Sequence, residues 1–166
     1  YFYQFPSTIQ ERDYVAINIS AGHSKRKYPY EKWRKVISHI LHVSSMKVAL
    51  FCSKKEIKDA QRLKSIFQDK VHYPLNSPDL YHASGIINES AFLISLDTSL
   101  IHLAAALQKP IIGLYSNDLL NYTRYKPYNV LSKNIKSNTD LIRDIDPNDI
   151  IEYYDQMIDK IDKAST

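Results

Sequence analysis

The chain has 166 residues, 44% of them hydrophobic, which is enough to close one domain around a real core; no apolar run approaches the roughly 18 residues of a membrane span. One cysteine, Cys52, excludes an intrachain disulfide and a cysteine metal cluster, and three glycines with no G-x-G-x-x-G or P-loop pattern argue against a glycine-rich phosphate loop. The net charge of +4 is unevenly spread: from Asp140 onward eight acidic residues face three basic ones, a net of −5, so the preceding 139 residues carry +9. A basic body of this kind suits an anionic partner (nucleotide, phosphorylated lipid or nucleic acid), although solubility alone also accounts for it.

Tyr1–Asp13 is aromatic and then polar, contains Pro6, and has no periodicity. It lacks the basic-then-apolar layout of a secretory signal and reads as a linker or the end of a preceding element, which leaves residues 14–166 as one domain. Tyr14–Ser20 alternates and is rich in β-branched residues, the pattern of a first strand. The loop Ala21–Pro29 carries Lys25, Arg26 and Lys27. A helix over about Tyr30–Val43 follows, with Trp33, Val36, Ile37, Ile40 and Leu41 as its buried stripe. Lys47–Phe51 reads as the second strand. Ser53 caps a helix to about Phe67 that turns Ile57, Ala60, Leu63 and Ile66 inward. A short strand at Val71–Tyr73 and a helix over Leu80–Asn88, interrupted near Gly85, lead to a fourth strand at Phe92–Leu96. The Leu/Ala-rich segment after Asp97 is a helix that Pro110 ends near Lys109, and Ile111–Tyr115 is the fifth strand.

Beyond Tyr115 the chain turns polar and aromatic through Tyr128, a loop long enough to suggest function or disorder. Val130–Leu131 is expected as a short sixth strand. Asp146-Pro147-Asn148-Asp149 is a helix start, with a cap, a proline at the first helical position and an acid in the first turn, and that helix runs to about Ile161. This alternation of strands and helices predicts a doubly wound, Rossmann-like parallel α/β sheet with helices on both faces. Many chemistries use this architecture, so the fold alone assigns none.

Two constellations fall where such sheets bind ligands, outside the carboxyl ends of the strands. Asp97 and Thr98 end the fourth strand and begin a helix, and a helix start there attracts anions; the same residue types also serve as plain caps. His102 follows Thr98 by four residues, on the same helical face. A lone histidine on so apolar a helix is more often a hydrogen-bonded core residue, but cap and histidine together mark one spot. After the first strand, Lys25-Arg26-Lys27 beside that helix start would hold a diphosphate, with Arg26 giving bidentate contacts and the lysines point charges. Standing alone, the loop would read as a solvated basic turn.

The basic residue followed by aromatic-Pro-x-x-x-aromatic (Lys27-Tyr28-Pro29 to Trp33), together with D-[ST]-small-x-x-H-x-A-A-A-x-x-x-P from Asp97 to Pro110, resembles one family. It is similar to the C-terminal domain of the ADP-heptose–lipopolysaccharide heptosyltransferases, glycosyltransferase family 9 with GT-B architecture, over about Tyr14–Ile161. The resemblance implies that Arg26 takes the place of a loop lysine contacting the donor diphosphate. It implies that Thr98 and Ser99 form the phosphate-binding helix start, and that Asp97 and His102 face the donor sugar. Glu56 would lie near the nucleotide ribose, a role a carboxylate can fill by accepting both ribose hydroxyls. Ser99 and Ser116 stand where the family usually has glycine, and a cysteine-containing segment of some members is absent.

The resemblance further implies an inverting glycosyltransferase; the single cysteine fits a metal-free protein, and no cofactor is expected. The acceptor, lipopolysaccharide core, and the catalytic base would belong to an N-terminal domain that 166 residues cannot also supply. No catalytic residue is then expected in this chain, which is expected to be inactive alone, and residues 1–13 become the remnant of an interdomain linker. The expected setting is the cytoplasm, at the cytoplasmic face of the bacterial inner membrane with peripheral contact to its surface. The alternatives are a GT-B transferase or epimerase using a UDP-sugar, or a nucleotide-binding module that has lost catalysis. Nucleic-acid binding is disfavoured, since no aromatic-basic stacking motif supports it.

Overall fold

The computed structural model describes residues 13–73, 79–118, 122–123 and 126–164; residues 1–12 of the expected linker therefore lie outside the described residues. Six strands form one parallel sheet: β1 (Tyr14–Asn18), β2 (Lys47–Phe51), β3 (Val71–His72), β4 (Leu93–Leu96), β5 (Ile111–Tyr115) and β6 (Ser132–Lys136). Their order is β3-β2-β1-β4-β5-β6, so the chain reverses its direction of travel between β1 and β4. Because both faces of the sheet are covered, β1, β4 and β5 are buried at every position, which explains their near-continuous apolar runs.

Helices α1 (Tyr30–Val43), α2 (Ile57–Phe67) and α5 (Pro147–Ala164) cover one face, and α3 (Leu80–Glu89) and α4 (Ser99–Ala106) the other. The first face is thick. Trp33, Val36, Ile37, Ile40 and Leu41 of α1 are all buried there, as the spacing requires, against Ile17, Leu50 and Ile94 of the sheet and Tyr154 and Met157 of α5. Tyr28 meets Trp33 edge-on at 5.0 Å, and Tyr154 donates to Ser44 Oγ at 3.0 Å. The second face is thinner, with Ala83, Ile86 and Ile87 of α3 and Ile101 and Ala104 of α4 on Tyr14, Ala16, Leu93 and Ile111.

Several expectations are corrected. β1 stops at Asn18 rather than Ser20, because the Asn18 side chain accepts from the Ser20 N–H at 3.0 Å and turns the chain. Ser53 does not cap α2: it heads a separate turn, accepting from the Lys55 N–H and donating to Glu56, and α2 begins at Ile57. Ile66 is 51% exposed, so the inward stripe of α2 is Ala60 and Leu63, with Ile57 at its margin. Gly85 interrupts nothing, since α3 is continuous and is capped by Asp79, which accepts from the His82 N–H at 2.9 Å; a single helical glycine costs only about 1 kcal/mol relative to alanine.

α4 ends at Ala106, before Pro110 can act, as Gln108 adopts a left-handed φ of 56°. The sixth strand is Ser132–Lys136, not Val130–Leu131. An edge strand is not covered like a central one, and here only Ile135 is buried, so its sequence carries no apolar run to announce it. The terminal helix starts as expected, with Asp146 accepting from the Asn148 N–H at 2.8 Å.

Candidate functional site

The reversal between β1 and β4 opens a cleft of about 630 Å³ at the carboxyl ends of the strands, where doubly wound sheets bind ligands. Its floor is built by register. Asn18 stands opposite Ser95 across the β1–β4 ladder, on the α3/α4 face. The Asn18 amide, 1% exposed, donates to Ser95 Oγ at 3.1 Å and to Thr98 Oγ1 at 3.0 Å, and the Ser95 hydroxyl donates to the Leu96 carbonyl at 2.7 Å. A buried amide with both N–H groups satisfied fixes the two strand ends relative to one another.

Thr98 is the residue before α4, with an extended backbone, yet its hydroxyl makes no capping bond to the helix. The hydroxyl is occupied as acceptor from Asn18 instead. The helix start therefore presents its first-turn N–H groups without a side-chain cap, and Ser99 and Leu100 line the cleft. Unsatisfied N–H groups at the positive end of a helix favour an anion.

Arg26 closes the cleft from the loop after β1. His23 accepts from the Lys25 N–H at 3.2 Å and organises a single turn of 3-10 helix over Ser24–Arg26. From its end Arg26 Nη1 donates to the Asp97 carbonyl at 3.1 Å, and Nε lies 3.4 Å from Asp97 Oδ2. Arg26 is thus anchored directly before the α4 start and lines the cleft, and a guanidinium carries more N–H donors than these two contacts use. Asp97 is buried, and this burial pushes its carboxyl up from the ordinary range; Arg26 and His102 pull it down and Asp118 pushes it up again.

Among the sequence-derived candidates, Arg26, Asp97, Thr98 and Ser99 come together at this cleft. His102 is exposed, one turn along α4, and its charge bears on Asp97. The other loop cations diverge: Lys25 turns to Asp140 at 3.7 Å, and Lys27 lines an adjoining recess of about 200 Å³ that shares Ala21, Gly22 and Lys55 with the cleft. Glu56 belongs to that recess too; its carboxylate is buried and bonded to the Ser53 hydroxyl, so it does not line the main cleft, and Lys55 lies there in its stead. Of the three loop cations Arg26 lines the main cleft, where Lys55 joins it.

Sequence reasoning passed over Asn18, Ser95 and Cys52. An amide ending a β-branched strand and a serine inside an apolar run were the available signals, since strands disfavour the first and cores the second. Cys52 lines the cleft, but burial and the nearby Glu56 push its thiol up, away from a nucleophilic thiolate. Among the described residues no group of three or more His, Cys, Asp or Glu side chains is placed to hold a metal, and no helix is long and apolar enough to cross a membrane.

The sequence profile of glycosyltransferase family 9 (heptosyltransferase) matches residues 3–154. No curated protein matches the chain in sequence. Among solved structures, the E. coli heptosyltransferase WaaC with ADP is similar at a TM-score of 0.78 and 21% identity, covering 92% of this chain and 46% of that one. The E. coli ADP-heptose lps heptosyltransferase II gives 0.78 and 18%, covering 96% and 50%. The Methanocaldococcus jannaschii UDP-GlcNAc 2-epimerase in complex with UDP-GlcNAc and UDP gives 0.58 and 12%, covering 88% and 38%. The chain thus spans about half the length of the heptosyltransferase structures it resembles.

Proposed function

This chain belongs to glycosyltransferase family 9, and from that premise we propose that its cleft holds the diphosphate of a nucleotide-sugar donor, ADP-heptose, for transfer to a lipopolysaccharide core saccharide. The observation that carries the reading is the meeting of Arg26 with the uncapped start of α4 at the junction of β1 and β4. When the glycosidic bond to the donor breaks, negative charge grows on the departing diphosphate. Fixed N–H dipoles and a guanidinium already held in place stabilise that charge without reorganising. Thr98 and Ser99 would face the phosphates, while Asp97 and His102 would lie toward the sugar.

In this reading the acceptor hydroxyl is deprotonated by a base from outside these 166 residues, which accords with a chain half the length of the heptosyltransferase structures. The sugar is transferred with inversion, the isolated chain binds nucleotide without turning over, and the protein works in the cytoplasm against the inner-membrane face. No metal or cofactor is required.

Calorimetry of the chain with ADP and with UDP, at low and moderate salt, tests the proposal alongside a transfer assay on heptose-free core lipid. ADP is expected to bind weakly and more tightly than UDP, with no transfer. A preference for UDP would favour a UDP-sugar enzyme, and turnover by the chain alone would mean that the base lies within it.

A further inference from the structure

A second charged surface lies on the same rim, where β5 and β6 end. Tyr115, last in β5, stands opposite Lys136, last in β6. Tyr115 is 1% exposed and meets Tyr122 edge-on, with ring centroids 5.2 Å apart. Over the Tyr122 ring stand two ammonium groups, Lys136 Nζ at 5.1 Å and Lys126 Nζ at 6.0 Å. Lys126 also lies 5.6 Å from the ring of Tyr128, which is 64% exposed. Among the described residues neither ammonium pairs with a carboxylate, whereas Lys25, Arg26, Arg34, Arg62 and Lys64 all do.

Gathering two cations around one ring, with no carboxylate partner among the described residues, leaves attraction for an anion that the ring quadrupole only partly offsets. An exposed aromatic face beside them accepts the C–H edges of a sugar ring, whose partial positive charge suits the negative face of the π system. Tracking a single-stranded nucleic acid would call for successive exposed rings, and among the described residues of this surface only Tyr128 is widely exposed. The surface lies on the same rim of the sheet as the cleft, because β5 pairs with β4, the strand that leads into Asp97.

We infer that Tyr128, Lys126 and Lys136 form a subsite for an anionic saccharide, the sugar ring lying on Tyr128 and its phosphate or carboxylate on the two ammonium groups. Resting on the function proposed above, this subsite holds charged substituents of the acceptor, so that the donor half of the enzyme takes part in acceptor recognition.

The test is an NMR titration of the chain with glucose 6-phosphate, with and without saturating ADP, beside glucose, inorganic phosphate, an oligonucleotide and phosphatidylglycerol vesicles. Glucose 6-phosphate should shift the amide signals of Lys126, Tyr128 and Lys136, more strongly than glucose or phosphate and equally with ADP present. The double variant K126Q/K136Q should weaken this binding about tenfold, as loss of two partly screened charge-assisted contacts implies. Y128A should weaken it several-fold, and both should leave ADP affinity and thermal unfolding unchanged.

Displacement of glucose 6-phosphate by ADP, equal binding of inorganic phosphate, or indifference to these substitutions would overturn the inference. Tighter binding of the oligonucleotide, or of the vesicles alone, at these residues would overturn it as well. If the chain binds glucose 6-phosphate but not ADP, the donor reading falls while the subsite stands.

Discussion

The two faces of the sheet do different work. Under α1, α2 and α5 the face is a continuous apolar layer anchored by Trp33, Ile37, Phe92 and Tyr154. Under α3 and α4 the layer is thinner and, near the strand ends, gives way to the hydrogen-bonded Asn18–Ser95–Thr98 group. Apolar packing is nondirectional and sums into stability, whereas a buried polar group holds one geometry and loses much when any member is removed. One face therefore keeps the domain folded, and the other aims the ends of β1 and β4 at the cleft.

The sharpest way to break this division is Trp33→Ala. It should cost on the order of 3–5 kcal/mol of unfolding free energy, as large-to-small core substitutions do, when followed by circular dichroism in urea, while the folded fraction binds ADP as before. Loss of ADP affinity in the folded protein would mean that the thick face shapes the cleft after all.

On the other face Asn18→Ala should cost less, about 1–3 kcal/mol for stranding buried hydroxyls, and should also weaken ADP binding because Thr98 is no longer held. If stability falls and affinity does not, the polar group is structural only.

The smallest effect concerns Asp97. Burial raises its carboxyl, so the folded protein binds this proton more tightly than the unfolded chain, whose aspartates titrate near about 3.9. Stability is then lost as pH rises from that value through the raised folded one. Asp97→Asn removes the slope, so the Tm of the variant relative to wild type should climb by a few degrees at most across this interval. A difference independent of pH would mean that Arg26 compensates the burial fully.

The same contrast explains what the sequence made legible. α1 and α5 showed themselves because period-3.6 stripes bury against a broad apolar layer, and the β4–α4–β5 unit because apolar runs flank a Leu/Ala-rich helical segment. β6 was misplaced because an edge strand with one buried residue has no such pattern. At the cleft, residue types at strand ends were readable, which brought Arg26, Asp97, Thr98 and Ser99 forward. Where neighbouring side chains point was not. Lys25 and Lys27 flank Arg26 in sequence, but the 3-10 turn sends them to Asp140 and to the side recess. Asn18 was missed because its partners lie 77 and 80 residues away, a pairing set by sheet register alone.

That divergence of the three loop cations gives the most direct test of the cleft itself: ADP affinity of Arg26→Ala set beside Lys25→Ala, measured by calorimetry at low salt. Arg26→Ala should lose roughly tenfold to a hundredfold, as expected for a charge-assisted contact worth about 1.5–3 kcal/mol, with some loss of thermal stability because the buried Asp97 carboxylate loses its partner. Lys25→Ala, whose ammonium already faces Asp140, should lose about twofold at most, as an exposed charge screened by solvent. Equal losses in the two variants, or no loss in Arg26→Ala, would contradict the assignment of the diphosphate to Arg26 and the start of α4.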